Sequence, residues 1–84
     1  MCSQEVSLWR LRVVADADPN TIARVLERFY NLNVLPRRII AEFATDETLH
    51  IQVDICGLAE DQLKLIAAKI GQSVSVVNAY WHRV

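Results

Sequence analysis

Cys56, His50 and His82 are the residues whose types could support catalysis, since a thiol beside an imidazole is the smallest nucleophile and base pair. Cys56 ends an apolar alternating run, however, and a cysteine in such surroundings is more often a buried structural thiol than a reactive thiolate. Two imidazoles also begin a metal site, yet no third ligand stands at a definite spacing, so they read as solvated histidines on a polar sheet face. Neither a metal nor an organic cofactor is expected, and the chain reads as a binding domain, not an enzyme. Arg37-Arg38 has the donors to clamp a carboxylate, although such a pair is more often the charged edge of a strand. Trp9 and Trp81 read as core or dimer contacts, because large aromatics dominate burial in small cores.

These residues must be placed by regular elements, and hydrophobic periodicity defines them. From Ser7 to Val14, Trp9, Leu11 and Val13 alternate with Arg10 and Arg12, the period of a half-buried strand. A helix follows at Asp18-Pro19, with Asp18 as its cap and Pro19 tolerated in the first turn. Ile22, Val25, Leu26 and Phe29 form its apolar stripe, and Arg24, Glu27 and Arg28 face water. Tyr30-Asn31-Leu32-Asn33 ends it with an asparagine where a left-handed residue is needed.

A second strand is predicted from Val34 to Ala44, with Pro36 near its start, then a hairpin connection at Thr45-Asp46-Glu47. Leu49, Ile51, Val53 and Ile55 alternate with His50, Gln52 and Asp54 in a third strand that has one wet face. Gly57 breaks it. Glu60 and Asp61 open a second helix with Leu63, Ile66, Ala67 and Ile70 as its buried stripe, and Gly71 is predicted to end it as a left-handed cap. Val74 to Arg83 is the fourth strand.

The order βαββαβ implies an α+β fold: a ferredoxin-like two-layer sandwich with an antiparallel four-stranded sheet and both helices on one face. Residues 7–84 make one domain and residues 1–6 a tail. The open sheet face carries Arg10, Arg12, Glu42, His50 and Gln52. Two strand edges also stay uncovered, which predicts a homodimer formed through sheet edges.

With 84 residues there is room for a single small core, which also favours association. Nine Lys plus Arg against ten Asp plus Glu leave a net charge of -1, which gives no footprint for nucleic acid. No apolar run nears the roughly 18 residues of a membrane span, and MCSQEV lacks the layout of a signal peptide. A cytoplasmic protein is expected, with Cys2 and Cys56 as free thiols.

This topology hosts unrelated activities. RNA readers stack bases on aromatics of the open face, where this chain has His50, Gln52 and Asp54 on the third strand. Soft-metal carriers need paired cysteines in the first loop, and ADADPN has none. That loop is also acidic, which opposes phosphate chemistry there.

PNTIARVLERFYNLNV resembles the first-helix region of ACT domains, small βαββαβ modules that regulate amino-acid metabolism. Pro19, Ile22, Ala23-Arg24-Val25-Leu26, Phe29 and Val34 stand at the positions of that pattern, and Ser7 to Arg83 fits one such domain in length and element order. Within the family the chain is most similar to short small subunits of acetolactate synthase, through Asp18-Pro19-Asn20-Thr21 and Arg24-Val25-Leu26. The resemblance implies a dimeric regulatory subunit that activates a large thiamine-diphosphate catalytic subunit, or a stand-alone amino-acid sensor. It also implies an effector site between the loop carrying Asp16, Asp18, Asn20 and Thr21 and a partner subunit's helix exit at Asn31, Asn33 and Val34. Asn20 and Asn33 occupy positions where ligand-binding members have glycine. Their side chains oppose close backbone capture of a carboxylate but can hydrogen-bond a carboxylate or an ammonium themselves. The alternative is an interaction module that dimerises and binds no metabolite.

Overall fold

The computed structural model describes residues 8–44 and 46–84. The expected tail, Ser7, Cys2 and Thr45 of the hairpin lie outside the described residues. Six elements follow in the order β1 (Leu8–Asp16), α1 (Pro19–Asn31), β2 (Arg38–Phe43), β3 (Thr48–Cys56), α2 (Glu60–Gly71) and β4 (Val76–Arg83). They form one antiparallel sheet in the order β2-β3-β1-β4, the ferredoxin-like arrangement.

Alternation decides which face is buried. Leu11, Val13 and Ala15 of β1 and Leu49, Ile51, Val53 and Ile55 of β3 point to the helices and are buried. Their register is tight, with Leu11 opposite Val53 and Val13 opposite Ile51. Both helices cover that face, α1 through Thr21, Val25 and Phe29 and α2 through Leu63, Ile66 and Ile70. Phe29 meets Trp81 of β4 edge to face at 6.2 Å, a favoured aromatic geometry.

Local chemistry fixes the ends of α1. The Asp18 carboxylate accepts the Asn20 N–H at 2.9 Å, and Pro19 is the first helical residue. At the exit, the Asn33 N–H donates to the Tyr30 carbonyl and the Val34 N–H to the Phe29 carbonyl, with Asn33 at φ 55°. This is a Schellman motif closed by asparagine instead of glycine.

Several boundaries differ from the sequence reading. β2 begins at Arg38, not Val34, because the Val34 amide is spent on the helix cap and Pro36 has no N–H; the Arg37 N–H makes the first bond to β3, at the Asp54 carbonyl. Gly71 is the last residue of α2, and the cap is Gln72 at φ -76°, so no left-handed residue is needed there. The left-handed glycine is Gly57, at φ 86° in the turn from β3 to α2. Cys56 is disulfide-bonded, so the expectation of a free thiol does not hold at that position.

Candidate functional site

The loop from β1 into α1 carries four of the expected site residues. Asp16 is exposed at the end of β1, where its N–H donates to the Ser75 carbonyl at 2.7 Å and ties the loop to the start of β4. Asp18 is half-buried and faces the helix N-terminus, where the macrodipole favours its charge. Asn20 is exposed, but its backbone N–H is already taken by the Asp18 side chain. Thr21 is buried, and its hydroxyl lies 3.0 Å from that of Ser75. It ties α1 to the residue before β4 and faces the groove between the helices, not the loop.

Asn31, Asn33 and Val34 lie at the other end of α1. Asn31 and Asn33 are exposed, and Val34 packs against the core. Twelve helical steps separate Pro19 from Asn31, on the order of 18 Å at 1.5 Å per residue. Within one chain the two groups therefore form no common site.

Beside the loop lies a concavity of about 380 Å³, lined by Ala17, Asp18, Pro19 and Ile22 on one side and by Ala41, Phe43 and Leu49 on the other. β2 supplies its outer wall, and only one side of β2 is paired. Ile39 and Phe43, on the helix side of that strand, are 42% and 69% exposed. The concavity thus opens onto an unpaired strand edge with apolar side chains. The signal for it in sequence is faint, since RIIAEF falls within the predicted second strand without marking which edge stays unpaired.

The open sheet face is polar and internally paired. Arg10 donates to Asp54 through Nε at 2.8 Å to Oδ1 and through Nη2 at 3.1 Å to Oδ2. These bonds hold the Asp54 carboxyl below its ordinary range and raise Arg10, with the positive charge of Arg38 adding to the effect on Asp54. Arg12 Nε donates to His82 Nε2 at 3.0 Å, so the His82 Nδ1–H faces the Arg83 carbonyl at 3.3 Å. His50 Nε2 lies 3.1 Å from the Thr48 hydroxyl. β1 stands between the two histidines, with His50 opposite Val14 and His82 opposite Arg10. Among the described residues no group of His, Cys, Asp and Glu is placed to hold a metal ion.

Cys56 does not complete a catalytic pair, because its sulfur is bound in a disulfide. No helix among the described residues is long and apolar enough to cross a membrane.

Comparison with known proteins agrees with this architecture. The fold is similar to the C-terminal domain of the MgtC protein from Mycobacterium tuberculosis, with TM-score 0.81 at 16% identity over 100% of this chain and 94% of that one. It is also similar to the ACT domain from GTP pyrophosphokinase of Chlorobium tepidum, with TM-score 0.76 at 16% identity over 92% and 99% of the two chains. A homoserine dehydrogenase from Thiobacillus denitrificans shares the fold over 93% of this chain but 17% of its own, with TM-score 0.72 at 16% identity. No match is found among curated proteins. The model of the ACT-like domain family matches residues 2–84. The sandwich topology and that match over nearly the whole length make this chain a member of the ACT-like domain family.

Proposed function

We propose that the protein is a non-catalytic regulator of amino-acid metabolism that works as a homodimer joined through β2. The observation that carries this reading is the concavity between the α1 entrance and β2, which opens onto an unpaired apolar edge. β4, the other edge, is less suited to pairing. Val14 lies opposite Asn78 and Ala15 opposite Val76, so Val77 is an extra, bulged residue in β4. Bulged edges twist away from strand addition.

In this reading an amino-acid effector is bound where the loop of one protomer meets the α1 exit of its partner. The Asp16 and Asp18 carboxylates attract its ammonium, and the Asn20 side chain with the partner's Asn33 amide receives its carboxylate. Two roles fit: a small subunit activating an acetolactate-synthase-type large subunit, or a stand-alone sensor. The resemblance of Asp18-Pro19-Asn20-Thr21 and Arg24-Val25-Leu26 to the small subunits supports the first. A cytoplasmic location accompanies either role, and the Cys56 disulfide is the feature least at home in that reducing compartment.

One observation favours a second reading, an interaction module without a ligand. The Asn20 N–H, the donor best placed to receive a carboxylate, is occupied by Asp18, whose charge also repels one. A thermal melt against a panel of amino acids separates the two. An effector at a hundredfold excess over its Kd stabilises the fold by about 2.7 kcal/mol. A shift with one amino acid, lost in Asn20→Trp, supports the sensor; no shift with any, while the dimer persists, leaves the interaction module. Retention of a thiamine-diphosphate-dependent enzyme in a pull-down would select the small-subunit role.

A further inference from the structure

A second concavity lies in the groove between α1 and α2, on the opposite layer from the open sheet face. It holds about 180 Å³ and is walled by Arg24 and Arg28 of α1 and by Lys69, Gln72 and Ser73 of and beyond α2, over a floor that includes Val25. Three of the nine basic residues of the chain converge here, and no acidic residue lines the cavity. Among the described residues the one ion pair is Arg10 with Asp54, so none of these three cations is neutralised.

Helix electrostatics account for part of the cluster only. Arg28 and Lys69 stand in the last turns of their helices, where positive charge complements the macrodipole. Arg24 is in mid-helix, one turn from Arg28, and like charges at that spacing repel. In a chain with ten acidic residues, an acid at the groove would have relieved this repulsion. The cavity wall also includes hydroxyls that can donate. Thr21 Oγ1 lies 3.0 Å from Ser75 Oγ, which lies 3.3 Å from Ser73 Oγ. Thr21 and Ser73 both line the cavity, so the end of this chain can turn a proton toward a bound anion.

The geometry points to a binding site for a soluble, multiply charged oxyanion, a phosphorylated or polycarboxylic metabolite, in the α1–α2 groove. Arg24 and Arg28 supply forked N–H donors for two oxygens of one group. Lys69 adds a mobile point charge, and Ser73 the hydroxyl. The rest of such a molecule can enter the adjoining concavity of about 160 Å³, which shares Arg28 and Lys69 and adds Leu32 and Leu65. This site shares Thr21 with the loop of the proposed effector, but its cations Arg24, Arg28 and Lys69 are not among the effector residues, and neither proposal depends on the other.

The test is titration of the isotope-labelled protein with pyrophosphate and with citrate at fixed ionic strength, followed by amide shifts, with acetate as the monovalent control. Saturable shifts confined to Thr21, Arg24, Arg28, Lys69, Gln72 and Ser73 are expected, with affinity at least tenfold lower in Arg28→Gln and in Lys69→Gln. Arg12→Gln, on the opposite face, should leave the affinity unchanged. Shifts that never saturate, that match those with acetate, or that centre on Arg10 and Arg12 would overturn the proposal. So would affinity retained in both groove variants, or co-sedimentation with phosphatidic acid vesicles in the absence of pyrophosphate binding.

Discussion

Arg10 and Asp54 face each other across β1 and β3 and are joined by two parallel hydrogen bonds, at 2.8 and 3.1 Å. Their side chains are 23% and 7% exposed, so the pair sits under partial cover on a sheet face that has no helix above it. A carboxylate this enclosed requires its partner. Removing one side leaves the other charge uncompensated, whereas the intact pair adds little net stability.

Asp54→Asn is therefore expected to cost roughly 2 kcal/mol, in the range of hydrogen bonds to charged groups. The melting temperature should fall by on the order of 10 °C, given roughly 4–8 °C per kcal/mol for a domain of this size. The cost depends on pH in a defined direction. Hydrogen bonds from Arg10 lower the folded-state pKa of Asp54 below its unfolded value, so its contribution is complete above about pH 4 and is lost as pH falls through the folded value. Urea melts of the two proteins should therefore differ at neutral pH and converge in acid. A difference that is constant with pH would mean that the pair does not behave as an ionised bridge.

Asn33 makes a sharper test of backbone chemistry. At φ 55° it closes the Schellman motif, a conformation that L-residues other than Asn and Asp adopt at a cost of roughly 1–2 kcal/mol. Asn33→Val should destabilise by about that amount, and Asn33→Gly should be neutral or more stable by up to about 1 kcal/mol. Denaturant midpoints measure both. Equal midpoints for Val and Gly would show that the turn relaxes out of the left-handed region.

Much of this was legible in the sequence, for reasons visible at particular residues. LWRLRVV and LHIQVDI alternate cleanly, and Asp18-Pro19 names its own helix start, so these elements followed from local chemistry. The end of α1 was legible too, because few residues other than Asn33 could take that position. β2 was not, since Val34 and Pro36 belong by composition to a strand while their amides are unavailable to a ladder. Gly71 misled in the opposite way: a glycine suits a left-handed cap, but the turn into β4 is made by hydrogen bonds from Gln72 and Ser73 to Lys69 and Ile70 without one. The expected site residues fall at the two ends of α1, a separation set by the length of the helix from Pro19 to Asn31. Arg24 is exposed, as its helical spacing predicts, but only the packing of α1 beside α2 sets Lys69 near it and Arg28.

Phe29 is the point where the two layers are most dependent on one side chain. It is 1% exposed and meets Trp81 at 82° between the rings. Phe29→Ala should cost about 3–5 kcal/mol, a large share of the roughly 5–15 kcal/mol available to a whole domain. Phe29→Leu, which fills most of the volume, should lose far less. Indole emission in a Trp9→Phe background would report Trp81 alone, and a red shift in Phe29→Ala but not Phe29→Leu would locate the defect at this contact.

The edge of β2 is the most consequential surface for the proposed role. Ile39 and Phe43 project to the helix side of a strand whose outer edge is unpaired, and the strand carries no bulge. Antiparallel pairing of two such edges would continue the sheet across both protomers and bring two copies of these side chains together. Phe43→Lys places charge within that contact while leaving the backbone ladder to β3 intact, and lysine on an edge strand opposes pairing. Light scattering should give about twice the 9.6 kDa chain mass for the wild type and the chain mass for Phe43→Lys. The equivalent change at the bulged edge, Val77→Lys, should leave the dimer in place. If Val77→Lys dissociates it and Phe43→Lys does not, the subunits associate through β4, and the loop and helix exit of neighbouring chains must meet by another geometry.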